Sequence, residues 1–377
     1  MKRLRTLSAL AGLRLGCALG LLLLSAALAA GALPSKNLSA APSAAAPSPA
    51  APSPGDGLAR FSQPPAPAPP AWMEVIGDYL HGSQQLLILE KDGKLMALAQ
   101  FPGLRYTALA PRAGDFFALT GAARSSEGIL FLRDAQHAVV AARMAGAVFL
   151  RQPEQSPANG FRIELRKPLD QLRSEALASH PPRGGAGPHS PPDLVDLTTV
   201  VPAVRIDMPY ATANNFMGAP MYSEARAFLE APAAAALAEA ARRLQPLGYG
   251  LLVYDAYRPW YVTKMFWDGT PPGKRIFVAD PWNGSRHNRG CAVDLTLYDL
   301  RTGNAVSMTS GFDEMSERAY PTYPGGTSLE RWHRDLLHEA MRESGFTVNP
   351  YEWWHFDFKG WRSYPILNIR FEDLSNK

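Results

Sequence analysis

The chain has 377 residues, a length that suits two domains better than one. Hydrophobic residues make up 46% of it and charged residues 19%, so most of the chain can bury a core. The net charge is only +4, and no dense stripe of Lys and Arg alternates with aromatic residues, which argues against nucleic acid as a partner. Two cysteines exclude a disulfide scaffold.

Residues 1–33 have the pattern of a secretory signal. Basic residues lie within positions 2–5, an apolar run is densest at 19–28, and Ala27-Leu28-Ala29 offers small residues at the spacing that a signal peptidase reads. An uncleaved anchor is the alternative, but Arg14 leaves fewer than the roughly 20 apolar residues that span a bilayer. The sequence therefore predicts a periplasmic or secreted protein, tethered to a membrane only if the signal is retained.

A proline- and alanine-rich linker is predicted for residues 34–70. Eleven of the chain's 34 prolines fall there, mixed with Ala and Ser. Such a segment cannot bury enough apolar surface to offset its ordering entropy, so we expect a disordered, extended and semi-stiff tether. A tether of this kind would hold the following domains away from a membrane or cell wall.

Residues 72–152 predict a small all-β module. The run Leu86–Leu89, the turn Lys91–Lys94 and the run Leu95–Leu98 are typical of a hairpin. Four further runs of strand type follow at short intervals, at 116–119, 128–132, 139–142 and 147–150. Strands of this length and spacing favour a small antiparallel barrel or sandwich.

This module has no nucleophile motif and no metal cluster, and we interpret the isolated His81 and His137 as surface or structural histidines. Its hairpin, the run Gly128–Asp134 and the closing Phe149–Arg151 loosely resemble the lipocalin-like β-module that is appended to some serine β-lactamase-type hydrolases. The module and the linker are the two segments through which we expect any association with a cell wall.

Residues 153–193 are predicted to connect the module to a second domain. A short helix is expected near Leu169–Ala178, followed by a Pro-, Gly- and His-rich segment at 180–192. His180 and His189 lie in that loose segment, where nothing fixes them as metal ligands.

Residues 194–377 predict an α+β domain because strand and helix patterns alternate there. Tyr249–Tyr254 is typical of a buried strand, and Pro232–Leu244 of a helix with Pro in its first turn. A second helix is predicted to begin at a capping box formed by Thr327 and Glu330 and to end at Gly345, with His333 and His338 in structural or solvated positions.

Three segments of this domain carry the chemically competent side chains: 255–259, 285–294 and 352–355. His287 and Asp294 lie seven residues apart, a spacing that puts them on opposite faces of a continuous strand. They can bind one ion only if the chain breaks between them, and Gly290 permits such a break because it can adopt a positive φ. Asp294 would then lie on the following strand and His287 on the preceding loop.

The third segment offers His355 as a further metal ligand and Glu352 as a general base. Two histidines and one aspartate leave the fourth position of a zinc ion open for water, which is the catalytic pattern. Glu352 would take a proton from that water and pass it to the leaving amine. Arg258, at the exit of the predicted strand 249–254 and oriented by Asp255, would stabilise the oxyanion.

These segments resemble the zinc D-alanyl-D-alanine dipeptidases of the vancomycin-resistance type. The resemblance rests on five motifs spread over about residues 194–370: 210–218, 255–259, 285–294, 311–316 and 352–355. It implies the small zinc-peptidase fold that is shared with D,D-carboxypeptidases and the hedgehog signalling domain.

The resemblance implies His287, Asp294 and His355 as ligands of Zn²⁺. It implies Glu352 as the catalytic base and Arg258 as the transition-state stabiliser.

The resemblance also implies that Asp313 and Ser285 bind the free ammonium group of a small peptide substrate. Cys291, which lies between two proposed ligands, is interpreted as a core residue rather than a ligand. The expected function is zinc-dependent hydrolysis of D-Ala-D-Ala or a similar short D-amino-acid peptide. The alternatives are a D,D-carboxypeptidase that trims peptidoglycan stem peptides and a non-catalytic, zinc-containing wall-binding protein.

Overall fold

The computed structural model describes residues 57–99, 105–120, 127–182 and 189–374. The predicted secretory signal and residues 34–56 of the predicted linker lie outside these ranges. Within the described ranges, no helix has the length and apolar character needed to cross a membrane.

An eight-stranded antiparallel barrel forms the first domain, as one of the two architectures predicted for it. Its strands are β1 (Gly77–His81), β2 (Gln84–Lys91), β3 (Lys94–Ala99), β4 (Arg105–Pro111), β5 (Phe116–Leu119), β6 (Gly128–Arg133), β7 (Val139–Met144) and β8 (Ala147–Arg151). Each strand pairs with the next, and β8 pairs with β1 to close the barrel. The predicted hairpin is β2–β3, and its turn has φ of 51° at Asp92 and 73° at Gly93, as a type I′ turn requires.

Apolar side chains fill the interior of the barrel. Alternate strand residues point inwards, so Tyr79, Leu86, Ile88 and Phe131 are almost completely buried in one cluster. An eight-stranded barrel has room for little more than its own side chains. The inside of the barrel is therefore a hydrophobic core.

The second domain is an α+β body, as the sequence predicted. Its strands are β9 (Leu194–Asp196), β10 (Arg205–Ile206), β11 (Phe228–Glu230), β12 (Tyr249–Asp255), β13 (Ala292–Asp299), β14 (Phe346–Asn349) and β15 (Glu352–Phe358). Five of them form a sheet in the order β10-β12-β13-β15-β14, and β9 pairs with β11. The α-helices within the described ranges are α1 (Pro70–Met73), α2 (Leu169–Ala178), α3 (Leu197–Val200), α4 (Ala231–Leu244), α5 (Trp260–Gly269), α6 (Ser328–Glu343) and α7 (Phe371–Leu374).

Helices α4 and α6 pack against the five-stranded sheet through a common apolar core. Helix α6 begins at the predicted capping box, in which Thr327 accepts from the backbone of Glu330 and Glu330 accepts from the backbone of Thr327. His333 and His338 are structural, as expected: the first lies against the backbone oxygen of Ser307 and the second against that of Trp353.

The barrel is fixed to the α+β body by buried polar contacts. Asp78 of β1 accepts from Arg318 Nε at 2.8 Å and from the hydroxyl of Tyr323. Glu90 of β2 accepts from the backbone N–H of Ser328 at 2.6 Å, at the start of α6. Because removing one partner of a buried ion pair is costly, these contacts define one relative position of the two domains.

Part of the predicted linker is packed against the α+β body. Residues Gly57–Phe61 form a short 3-10 helix, which the composition of the segment did not indicate. Leu58 and Phe61 lie three residues apart on one side of this turn and join the core next to Trp332, whose ring centroid is 5.5 Å from that of Phe61. Burial of two large apolar side chains offsets the ordering entropy at this end of the segment.

His338 gives the fold a testable dependence on pH. Burial lowers the pKa of His338 from 6.5 to about 4, because a charged ring in this buried position would lack hydration by water. Below pH 6.5 the unfolded chain therefore binds a proton that the folded chain does not, and stability falls as the pH drops towards 4. This single group is expected to lower the free energy of unfolding by about 2 kcal/mol when the pH falls from 7 to 5.

We expect His338→Gln to remove about 2 kcal/mol from the difference between the unfolding free energies at pH 7 and pH 5. Urea titrations at both pH values measure it. His81→Gln is the comparison variant, because it removes an imidazole from an exposed barrel position. An unchanged pH dependence in His338→Gln would contradict this prediction, because it would show that the folded chain also protonates the ring of His338 at pH 5.

Candidate metal centre

Three buried side chains from different parts of the second domain converge beside the adjacent strands β13 and β15. Asp294 of β13 and His355 of β15 are direct partners in the antiparallel register. His287 begins a 3-10 turn that ends at Gly290, where φ is 62°. The break that the sequence predicted between His287 and Asp294 is therefore present.

Gly290 is required at this break for two reasons. Its positive φ is rarely adopted by residues with a side chain. A Cβ atom there would also lie 2.5 Å from Leu194 Cδ2 and 3.2 Å from the backbone nitrogen of Glu230. The close approach of β11 thus fixes the turn that carries His287.

The three donor atoms form a small triangle. His287 Nε2 lies 3.1 Å from His355 Nδ1 and 3.3 Å from Asp294 Oδ1, and His355 Nδ1 lies 2.9 Å from Asp294 Oδ1. A tetrahedral Zn²⁺ with ligands at 2.0–2.1 Å separates its donors by about 3.3–3.4 Å. The triangle therefore fits one zinc ion after small adjustments of the side chains.

Hydrogen bonds on the far sides of the imidazoles turn the correct nitrogens towards this triangle. His287 Nδ1 donates to the carbonyl oxygen of Ala256 at 2.6 Å, and His355 Nε2 donates to Asp357 Oδ1 at 3.1 Å. Each opposite nitrogen is then left with a lone pair for a metal.

Asp294 is suited to remain ionised at this centre. Burial alone would oppose ionisation, but the two neighbouring imidazoles outweigh it and hold the pKa of the Asp294 carboxyl below its usual range. Its Oδ1 atom has no hydrogen-bond partner within the described residues, although it is buried. An orphaned buried carboxylate oxygen that faces two imidazole nitrogens has the chemistry of a metal ligand.

Cys291 lies apart from this triangle. The His/Cys/Asp/Glu group identified in the described residues consists of His287, Asp294 and His355. Cys291 is completely buried, and burial raises the pKa of its thiol. The structure agrees with its interpretation as a core residue.

Glu352 stands beside the donor triangle at the first position of β15. Its Oε2 atom is 3.7 Å from His355 Nδ1 and accepts a hydrogen bond from Asn349 Nδ2 at 3.0 Å. Burial is the main cause that raises the pKa of Glu352 to about 7. A carboxylate with this pKa can both accept and return a proton near neutral pH.

Arg258 is held rigidly above the same site. Asp255 accepts from Arg258 Nε at 2.8 Å and from Nη2 at 2.5 Å, and Tyr222 donates to the second oxygen of Asp255 at 2.7 Å. The guanidinium also lies over the ring of Phe266 and has Nη2 3.8 Å from Asp294 Oδ2. The predicted contact between Asp255 and Arg258 is therefore present.

Asp313 and Ser285 complete the site. Asp313 has φ of 57°, and its two carboxyl oxygens share the single proton that the hydroxyl of Tyr210 donates, at 2.9 and 3.1 Å. Burial is the main cause that raises the pKa of Asp313 well above its usual range. The negative charges of the nearby Asp294 and Glu352 raise this pKa further. Ser285 Oγ accepts from the backbone N–H of His287 at 3.2 Å.

One cavity of about 170 Å³ brings all the predicted site residues together. They are Arg258, Ser285, His287, Asp294, Asp313, Glu352 and His355. The volume is below the range of about 300–1,000 Å³ that is usual for pockets of drug-sized ligands. The cavity therefore suits a small substrate.

Sequence reasoning missed four supporting residues of this site. Asp357, Asn349, Tyr222 and Tyr210 contact His355, Glu352, Asp255 and Asp313 respectively. Asp357 had a local signal, because it lies two residues after His355 and so shares its face of β15. Tyr210 is the first residue of the motif 210–218, but no role was assigned to it.

Comparison with known proteins places these residues in a family. A family model described as D-ala-D-ala dipeptidase matches residues 191–371. The chain is 40% identical to the D-alanyl-D-alanine dipeptidase of Escherichia coli (strain K12) over 179 residues, which cover 48% of this chain and 91% of that protein. It is 37% identical to the D-alanyl-D-alanine dipeptidase of Enterococcus faecalis over 181 residues, 42% of this chain and 88% of that protein.

The α+β body and its site thus define a hydrolase of the metallopeptidase class. More particularly, the chain belongs to the D-Ala-D-Ala dipeptidase family. The barrel precedes the residues that match the family model.

Proposed function

We propose that this protein hydrolyses D-Ala-D-Ala, or a closely related short D-amino-acid peptide, with one Zn²⁺ held by His287, Asp294 and His355. The observation that carries the proposal is the convergence of three donor atoms, an adjacent carboxylate and a fixed guanidinium in one small cavity. The names of the relatives support the same substrate class.

Each residue of the site has a defined task in this reaction. When bound, Zn²⁺ supplies Lewis acidity and makes water more acidic. Glu352 removes a proton from the attacking water and later gives it to the leaving amine, so that the same oxygen is base and then acid. The Arg258 guanidinium, held by Asp255, donates hydrogen bonds to the oxygen that becomes negative as the peptide carbonyl turns tetrahedral.

Asp313 and Ser285 would determine the length of the substrate. A dipeptidase must recognise an ammonium group one residue before the bond that it cleaves. Asp313 can bind this group by a charge-assisted hydrogen bond, and the ammonium would offset the burial that raises the pKa of Asp313. Longer chains have no free amine at that position and would leave the buried carboxylate without a partner.

We also propose that the enzyme acts outside the cytoplasm. The basis is the signal pattern of residues 1–33 and the proline-rich segment that follows. In that location the substrate would come from cell-wall material or its breakdown products. Immunoblotting of cell fractions, with the full chain expressed from its own start, would test the location.

The substrate proposal predicts a preference for a free amino terminus. We expect purified protein with Zn²⁺ to release D-alanine from D-Ala-D-Ala much faster than from N-acetyl-D-Ala-D-Ala. Asp313→Asn should lower kcat/KM for the free dipeptide by about 10- to 100-fold, because it removes one hydrogen bond to a charged group. Asp170→Asn, at an exposed position of α2, is the control and should change nothing.

Either of two other results would contradict this proposal and support an alternative function. Faster cleavage of the acetylated peptide, with little effect of Asp313→Asn, would identify a D,D-carboxypeptidase. Stoichiometric Zn²⁺ binding and retention on peptidoglycan, without hydrolysis of either peptide, would identify a wall-binding protein.

A further inference from the structure

A second cavity lies between the barrel and the α+β body. Its volume is about 650 Å³, within the range that is usual for small-molecule sites. Barrel-side residues that line it include Ile76, Val139 and Arg151, and α+β residues include Thr309, Glu314 and Arg318. None of the residues that line it lines the metal-centre cavity.

Three residues that line this cavity on the α+β side each carry a buried polar atom without a hydrogen-bond partner among the described residues. The atoms are Arg318 Nη1, Glu314 Oε2 and Thr309 Oγ1. The exposed fractions of these residues are only 7%, 1% and 7%. Buried polar groups are normally paired, so three unpaired ones at a single cavity call for a ligand or ordered water.

The remaining polar atoms of the same side chains are fully engaged, which fixes their positions. Arg318 Nε donates to Asp78 at 2.8 Å and Nη2 donates to the backbone oxygen of Gln152 at 2.9 Å. Glu314 Oε1 accepts from the backbone N–H of Gln155 at 2.9 Å and from the hydroxyl of Ser316 at 2.6 Å. One unpaired nitrogen of a guanidinium, with its two N–H donors, and one unpaired oxygen of a carboxyl group are thus held in place.

These two groups do not neutralise each other directly. No ion pair joins Arg318 and Glu314 in the described part of the chain, although each affects the pKa of the other. Arg318 already forms an ion pair with Asp78 through Nε, so what its Nη1 lacks is a hydrogen-bond acceptor. A molecule with a carboxylate that accepts from Arg318 Nη1 and an ammonium group that donates to Glu314 Oε2 would pair both unsatisfied atoms. Met73, Ile76 and Met308 on the wall could contact its aliphatic part.

We propose that this cavity is a second binding site, for a small zwitterion of the amino-acid or short-peptide class. Its carboxylate binds Arg318 Nη1, its ammonium group binds Glu314 Oε2, and the hydroxyl of Thr309 bonds to either end. The inference is independent of the proposed hydrolysis, because the two sites use different residues. Ordered water alone is the competing occupant, since it can also pair buried polar atoms.

Isothermal titration calorimetry with L-Ala-L-Ala and with L-alanine tests this site. The two affinities show whether it prefers a dipeptide or a free amino acid. We expect at least one of the two to bind. The N-acetylated and the C-amidated forms of the better ligand should each bind about tenfold more weakly, because each lacks one charged anchor.

Two nearly isosteric variants locate the binding. Glu314→Gln keeps the acceptor for Gln155 but removes the free carboxylate oxygen, and Thr309→Val removes the free hydroxyl. Each should weaken binding by about tenfold. Glu317→Gln, an exposed change in the same segment, should bind as the wild type does. Thermal unfolding of every variant checks that it is folded.

Three results would overturn the proposal. They are the absence of binding heat for both ligands, wild-type affinity in both Glu314→Gln and Thr309→Val, and water alone in the cavity of crystals soaked with L-Ala-L-Ala. Failure of the catalytic proposal would be seen in the hydrolysis assay instead, so the two failures are distinguishable.

Discussion

Replacing Glu352 with Gln is expected to lower kcat for D-Ala-D-Ala by about 10²- to 10⁴-fold, the usual contribution of a general acid–base group. The amide keeps the size of the side chain and the contact with Asn349, but it cannot accept the proton of the attacking water. Bound zinc should remain at one ion per chain, because Glu352 is not one of the three ligands. Steady-state kinetics and metal analysis of the same sample measure both quantities.

Glu164→Gln, at an exposed position of the connecting segment, is the matched control for this variant and should retain wild-type kcat. Wild-type turnover by Glu352→Gln would reject the assigned base. Loss of zinc together with activity would instead show that Glu352 is part of the metal site.

Replacing Asp294 with Asn should remove both zinc and activity. The variant has almost the same volume, but it lacks the negative charge that faces His287 and His355. We expect the affinity for Zn²⁺ to fall by more than about 100-fold, beyond the 10- to 100-fold that is typical for residues that only support a ligand. Competition with a chromogenic chelator measures the affinity.

Asp357→Asn provides a graded comparison for Asp294→Asn. Asp357 does not belong to the donor triangle but accepts a hydrogen bond from His355, so its loss should weaken zinc binding by about 10- to 100-fold. Equal zinc affinity in the wild type and Asp294→Asn would contradict the assigned ligand set.

The sequence predicted the local course of the chain between His287 and Asp294. The odd spacing between His287 and Asp294 required a break, and Gly290 was the one residue between them that could adopt a positive φ without strain. The pairing of Asp294 with His355 could not be predicted from local spacing, because it depends on which strand lies next to β13. Strand pairing is a long-range property that the spacing of residues along the chain does not reveal.

The same difference between local and long-range features explains why the sequence predicted only part of the barrel. The hairpin β2–β3 was visible from its turn, whereas β1 was not predicted. This strand carries Asp78, a residue that is rare in buried strands and is accommodated here because Arg318 and Tyr323 pair with it. Closure of the barrel depends on β1, so the sequence could not decide between a barrel and a sandwich.

The short helix Gly57–Phe61 has a consequence for how the chain can be divided. The polypeptide contributes to the core of the α+β body before it forms the barrel, and it returns to that body afterwards. A fragment cut at residue 191 would lose Leu58 and Phe61 and leave the indole of Trp332 uncovered. The catalytic half is therefore not a module that can be excised at the boundary of the family match without opening its hydrophobic interior to solvent.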